Sequence, residues 1–353
     1  YPGKFFQPIC LSFLVFDGSG HRLSFVALQV IFKSVPRSWS RFGDVLFIHL
    51  FYVFKRIMKD LTVFTPTFNR KHLLPRLYAS LKSQTNKNFI WMIIDDGSSD
   101  GTAALVQTYI DEKIIEIKYY WKKNEGMHSV HNLAYEKIET PWNTCIDSDD
   151  MMSETAVESI FNNLKDIENN DDFYAVVGLD ADQKGNLIGT RFPEHLKKIR
   201  FNEIYLKYGL TGDKKIVYKT EVLKKLPPYP IYEGEKLVPL DYKSLLADQF
   251  AFIKPVNEIW CLVEYQEDGS TRNMLKQYRR HPRGFAFSRI SRINYGSTSK
   301  ERFKNAVHLI SCSLFSKEYS SLFKSKRTLI VLSAIPAGIL LNLYIRLRTK
   351  RNC

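Results

Sequence analysis

The sequence is poor in cysteine and pairs none of what it has. Cys10, Cys145, Cys261, Cys312 and Cys353 are far apart and form no CxxC motif, which argues against a zinc site or a disulfide framework and for reduced thiols in a cytoplasmic setting. Long apolar runs are also lacking: the N-terminal ones, such as 45–54, are too short and broken for a membrane span. The basic start, single apolar block and small-residue cleavage site of a secretory signal are missing. No internal repeat or low-complexity tract is evident. Acidic residues are in the minority, 37 against 51 Lys and Arg, leaving a net charge of +14. That excess points to an anionic partner: nucleic acid, a phosphorylated substrate or anionic lipid. Nucleic acid is disfavoured, because the basic residues fall late and no recognition motif accompanies them.

The 353 residues are 44% apolar and 14% aromatic, enough for a real core in two domains, or in one large domain with an extension. Three regions are expected. Residues 1–57, Phe-rich and opening on Tyr1, read as a translated upstream extension with Met58 as the natural start; a membrane-touching leader is the alternative. Residues 58–270 form the main domain, divided into 58–150 and 151–270. Residues 271–353 form a basic helical region with an apolar segment at 328–345.

From Leu61 the pattern becomes regular. Strands are expected over 61–65, 89–94, 114–120 and 142–146, with helices over 72–82, 102–109 and 129–139 between them. The near-continuous apolar run 89–94 suits a parallel strand covered on both faces. Strand and helix alternating in this way predict an α/β fold: an open, mostly parallel sheet with helices on both faces. Ligands of such sheets bind outside the carboxyl ends of the strands, and every polar cluster falls there. Further strands are expected over 173–179 and 259–265.

The densest cluster is Asp147-Ser148-Asp149-Asp150, at the end of the fourth strand. In an extended chain Asp147 and Asp149 would face one side. Carboxylates that close suit a hard divalent ion, Mg2+ or Mn2+, able to hold a departing diphosphate. The bland alternative is an acidic turn capping a helix that begins near Ser153.

Taken in order, Thr65-Pro66-Thr67-Phe68-Asn69-Arg70, Asp95-Asp96-Gly97-Ser98-Ser99-Asp100-Gly101-Thr102, Asn124-Glu125-Gly126-Met127-His128 through Asn132, and Asp147-Ser148-Asp149-Asp150 resemble the family 2 glycosyltransferases. Gly234-Glu235-Lys236-Leu237 and 265–270 are similar to further segments of bacterial members. The resemblance covers about 60–270 and implies the nucleotide-diphospho-sugar transferase (GT-A) fold. It also implies a nucleotide-sugar donor, UDP-linked, and a glycan or lipid-linked acceptor in cell-surface polysaccharide synthesis. By the same resemblance Pro66 and Phe68 line the nucleobase pocket, and Asp96 accepts a hydrogen bond from uracil. Asp147 and Asp149 contact the ribose and the metal, with Asp150 sharing the metal. Gly126, His128 and Asn132 lie toward the diphosphate and donor sugar. Met127 departs from the family pattern, standing where a Lys is common, and His131 occupies a variable position.

Inverting transfer needs a carboxylate base within reach of the acceptor hydroxyl. Glu235 is the first candidate by resemblance, Asp241 the second and Glu233 the third. On that reading Glu235→Gln abolishes transfer and spares nucleotide binding. The basic tract 272–304 suits a lipid-linked diphosphate or anionic headgroups, or is a solvated face. The apolar segment 328–345, interrupted by Pro336, Gly338 and Asn342 and flanked by basic residues, suits a re-entrant or interfacial helix at the inner face of the plasma membrane, or an ordinary buried one. Two competing functions remain: a membrane-bound nucleotide- or glycan-binding protein without transfer, and a sugar-1-phosphate nucleotidylyltransferase. The latter needs a glycine-rich phosphate loop after the first strand, and residues 65–70 hold no glycine.

Overall fold

The computed structural model describes residues 59–264 and 273–350. The expectations for 1–57, for Met58 and for 265–270 lie outside the described residues.

The first strands are built as their composition requires. β1 (Leu61–Thr67) and β2 (Phe89–Asp95) are buried along their whole length, because helices cover both faces. α1 (Leu74–Lys82) follows β1, with Pro75 in its first turn, where a missing N–H costs nothing. α2 (Thr102–Glu112) leads to β3 (Glu116–Trp121), and α3 (Met127–Lys137) to β4 (Trp142–Cys145). On one face Tyr78, Tyr109 and Trp91 stack, and the Trp91 indole N–H donates to Thr65 Oγ1 at 3.0 Å.

The remaining strands are β5 (Met151–Met152), β6 (Phe173–Asp182), β7 (Lys214–Lys219) and β8 (Phe252–Val263). Together they give one eight-stranded sheet in the order β3-β2-β1-β4-β7-β6-β8-β5. The expectation of a mostly parallel sheet holds for its first half. β1, β2, β3 and β4 pair in parallel, and so do β6 and β8 in the second half, but β4–β7, β7–β6 and β8–β5 pair antiparallel. The sheet is therefore mixed. Gly178 of β6 lies under Trp260 of β8, where a Cβ would meet the indole at 2.3 Å.

The chain runs outward from β1 through β2 to β3, then returns to add β4 on the other side of β1. That reversal is a topological switch point, where the loops leaving neighbouring strands part and open a crevice. The loops after β1 and β4 flank it.

α4 (Ala156–Leu164), α5 (Phe201–Leu206), α6 (Thr220–Lys225) and α7 (Tyr242–Ala247) complete the sheet's cover. Beyond β8 come α8 (Met274–Arg280), α9 (Pro282–Tyr295), α10 (Ser299–Ser316), a 3-10 turn at Tyr319–Phe323, α11 (Thr328–Ser333) and α12 (Ile335–Lys350). Phe285, Ile293, Leu309, Ile310, Val331 and Ala334 form their shared core. The apolar segment 328–345 is thus two helices broken ahead of Pro336, a residue tolerated only in a first turn.

Candidate functional site

The loops after β1 and β2 are laced to each other. Asn69, at φ +52°, accepts from the Ser99 N–H at 2.8 Å, and its own N–H donates to Ser98 Oγ at 2.8 Å. Asp100 accepts from the Lys71 N–H on one side and from Thr102 on the other, and Asp95 from the Ser98 N–H and the Tyr119 hydroxyl. This lacing leaves Pro66 in the buried strand and the Phe68 ring 45% exposed at its end, an aromatic face open to a flat ligand.

Asp96, 5% exposed, sits beneath the loop after β3. It accepts from the Glu125 N–H at 3.0 Å, the Gly126 N–H at 2.7 Å and Lys122 Nζ at 3.1 Å. A carboxylate offers about four acceptor directions, so three are committed to holding the start of α3. The role expected for Asp96, accepting from a base, has at most one direction left. Gly126 has φ +94°, and a Cβ there would stand 1.9 Å from the Lys236 carbonyl oxygen. The loop carrying Glu233, Glu235 and Lys236 therefore lies directly against the start of α3.

The acidic cluster does not continue the strand. The Asp150 N–H donates to the Asp147 carbonyl at 3.1 Å, closing a turn through Ser148 and Asp149. The alternation expected of an extended chain fails there, and the three side chains differ in their partners. Asp149 pairs with Arg70 at 2.9 Å, and its carbonyl accepts from Arg76 at 2.6 Å. Asp150, buried, faces Lys215 Nζ at 4.0 Å and accepts from the Cys261 thiol at 3.6 Å. Asp147, half-buried, makes no side-chain hydrogen bond or ion pair among the described residues. Asp147 lines a cavity of about 210 Å³ together with Phe64, Met127, His131, Tyr135, Lys215 and Tyr229.

Burial raises the Asp147 carboxyl above its ordinary range, opposed by Lys215 and reinforced by Asp149. Burial likewise pushes Asp150 to about 7 and Asp180 to about 6, with Lys215 opposing both. Burial works against the Lys215 charge in turn, yet Cys261, Asp180, Asp150 and Asp147 together hold it well above its usual range. Three carboxylates and a thiol thus crowd one lysine, and Asp147, unlike Asp150, makes no side-chain hydrogen bond or close ion pair with it or with any other described residue.

Among the described residues no three His, Cys, Asp or Glu side chains converge as metal ligands. The expected set of Asp147, Asp149 and Asp150 is not an all-protein cage. The arrangement fits the alternative habit of Mg2+, which binds through one or two carboxylates and completes its shell with substrate phosphates and water. Asp147 would be the principal ligand, and Asp149 a second one once freed from Arg70.

The two histidines expected near the donor are both buried. His128 has neither ring nitrogen hydrogen-bonded, and burial lowers its pKa. His131 shares a 3.1 Å contact with Tyr135 Oη through Nδ1, leaves Nε2 unpartnered at the cavity and is pushed by burial down to about 3. Burial thus disfavours the charged form of both rings. The Asn132 side chain, expected near the donor, is committed to the backbone. Its side-chain amide donates to the Tyr229 carbonyl at 2.8 Å and accepts from the Tyr229 N–H at 2.9 Å, tying α3 to the loop after α6.

Neither leading base candidate stands free. Glu235 is buried, and its Oε1 accepts from Arg283 N and Nε at 3.1 and 3.0 Å while Oε2 accepts from the Gly284 N–H at 2.9 Å. It caps the start of α9, where backbone N–H groups otherwise lack partners. Asp241 is paired with Arg292 at 2.5 Å and accepts from Ser288. The oxygens of both are thus engaged by native partners. Glu233 is exposed and its carboxylate makes no ion pair among the described residues. Lys215 is the residue that sequence reasoning missed: it lies on β7 outside any motif, and only the antiparallel pairing of β7 between β4 and β6 brings it beneath Asp150.

The family described as "Glycosyl transferase family 2" matches residues 62–226. The poly(ribitol-phosphate) beta-N-acetylglucosaminyltransferase TarP of Staphylococcus aureus is 35% identical over 120 residues, covering 33% of this chain and 35% of TarP. Matches to curated relatives span between 14% and 38% of those proteins' own lengths. Among solved structures, S. aureus TarS 1–349 in complex with UDP-GlcNAc superposes with a TM-score of 0.52 at 18% identity, covering 80% of this chain and 81% of that one. The Pyrobaculum calidifontis mannosyltransferase PcManGT, in complex with GDP-Man and Mn2+, gives 0.50 at 13% identity, covering 81% and 88%. These structural likenesses establish the GT-A fold.

Proposed function

From the premise that this chain belongs, through residues 62–226, to glycosyl transferase family 2, we propose that it moves a sugar from a UDP-linked donor to a hydroxyl of a cell-surface glycan or its lipid-linked precursor, with inversion. The observation that carries this reading is the free carboxylate of Asp147, a residue at the end of β4 beside the switch point that lines a cavity of about 210 Å³. The relatives named above support the reading by what they bind or build.

The acceptor oxygen attacks the anomeric carbon as the bond from that carbon to the phosphate oxygen breaks, and the nucleoside diphosphate leaves with the bonding pair. A divalent ion, when bound, neutralises charge on the leaving diphosphate. Phe68 offers its exposed ring to the nucleobase, and Asp147 would hold the divalent ion. The acceptor proton goes to a carboxylate, and the proposal assigns it to Glu233, the residue of the 233–236 loop whose carboxylate is unpaired.

Paired substitutions test that assignment. Glu233→Gln is expected to lower turnover by ~10²–10⁴-fold at an unchanged melting temperature. Glu235→Gln is expected to cost roughly 1–3 kcal/mol of stability, by weakening a charged cap and ion pair, with turnover per folded molecule retained. Release of UDP from UDP-sugars with Mn2+, read beside thermal melts, gives both numbers. Lost turnover at normal stability in Glu235→Gln would return the base role to Glu235.

A further inference from the structure

α12 is amphipathic in the reverse sense. Its packed side carries Gly338, Asn342, Ile345 and Thr349; Gly338 lies against Ile310 of α10, and the Asn342 side-chain amide donates to the Ser311 carbonyl at 3.0 Å. Its outer side, at the 3.6-residue spacing, carries Pro336, Leu340, Leu343 and Leu347, with Leu340 at 67% and Leu347 at 69% exposure. Leu329 of α11, at 82%, adds to the exposed apolar surface of this region. An ordinary surface helix hides its leucines and shows its polar residues. Here small and polar residues are hidden and leucines shown, at a real cost in exposed apolar area.

Charge says what covers this face. Residues 319–353 hold seven Lys or Arg and no Asp or Glu. Lys324, Lys326 and Arg327 are exposed ahead of α11, and Arg346 and Arg348 flank the leucine stripe of α12. A second copy of the chain seated here would set these cations against their own counterparts. No helix among the described residues is long and apolar enough to cross a membrane. Leucines in the acyl boundary, with lysines and arginines reaching up to phosphates, match a helix lying in the plane of an anionic bilayer.

We propose that the outer face of α11 and α12 docks this protein on the surface of an anionic lipid bilayer, with Leu340, Leu343 and Leu347 inserted and the flanking cations on lipid phosphates. This goes beyond the transfer reading and does not rest on it. The test is flotation of the full chain with vesicles of phosphatidylcholine containing a minority of phosphatidylglycerol, against phosphatidylcholine alone. Wild-type protein should float with the anionic vesicles, less so in high salt. Leu343→Glu with Leu347→Glu should reduce the bound fraction by ~10-fold or more, because two inserted leucines are lost and two like charges added. Lys326→Glu with Arg348→Glu should remove the preference for anionic vesicles. All four positions are exposed, so melting temperature and UDP release should stay at wild-type values. Flotation of the leucine variant at the wild-type level, or a wild-type chain that floats with neither vesicle, overturns the proposal. So does sedimentation showing a wild-type dimer that the leucine variant splits, since a second copy then covers the face.

Discussion

Asp147→Asn should lower UDP release from a UDP-sugar by ~10²-fold or more, at every Mn2+ concentration, without lowering the melting temperature. The two halves of this expectation come from one geometry. Asp147 makes no side-chain hydrogen bond or ion pair among the described residues, and burial already disfavours its charge. A half-buried carboxylate with no hydrogen bond or close ion pair contributes little to the fold unless a cation joins it, because desolvation works against its charge and Lys215 offsets that only from a distance. Removing the charge with an isosteric amide should therefore leave stability unchanged or raised. Had Asp147 served only the fold, the same substitution would break native bonds and lower the melting temperature. Asp150 gives the contrast: its carboxylate faces Lys215 and Cys261, so Asp150→Asn leaves a buried lysine short of one partner and should destabilise. Turnover of Asp147→Asn at the wild-type rate would remove the metal and the diphosphate from this site.

Gly126→Ala should produce the second large effect, this time on the fold. The added Cβ would stand 1.9 Å from the Lys236 carbonyl oxygen, 2.5 Å from its carbon and 2.8 Å from its Cα. All three are backbone atoms, which cannot swing aside as a side chain can. The residue also has φ +94°, a conformation that L residues rarely adopt. Strain and overpacking together suggest a loss of roughly 2–6 kcal/mol, a fall in melting temperature on the order of 10 °C for a domain of this size. Gly185→Ala is the matched control, since Gly185 has φ +84° with nothing within 4 Å of a Cβ, and so isolates the conformational part. Because Met127 follows Gly126 and lines the cavity with Asp147, activity should fall along with stability. Equal melting temperatures for the two variants would show that the 233–236 loop does not press on α3.

The sequence by itself determined the order of strands and helices in the first half of the sheet, and the fact that 65–70, 95–102 and 147–150 meet at one edge. Both are local properties: a run such as 89–94 announces a covered strand by its composition, and parallel strands bring their C-terminal loops to one side whatever follows. The tertiary structure alone decided which carboxylate is free. Asp96, Glu235 and Asp241 look equivalent to Asp147 in sequence, yet their oxygens are taken by Gly126, Gly284 and Arg292. The bonds of Glu235 and Asp241 join residues about fifty positions apart, a separation that no periodicity encodes. Lys215 entered the site by the pairing of β7 beside β4, and the leucines of α12 turned outward because Asn342 and Thr349, not they, met its neighbours. Composition can say that a helix has two faces; only packing selects the one that is left to the solvent.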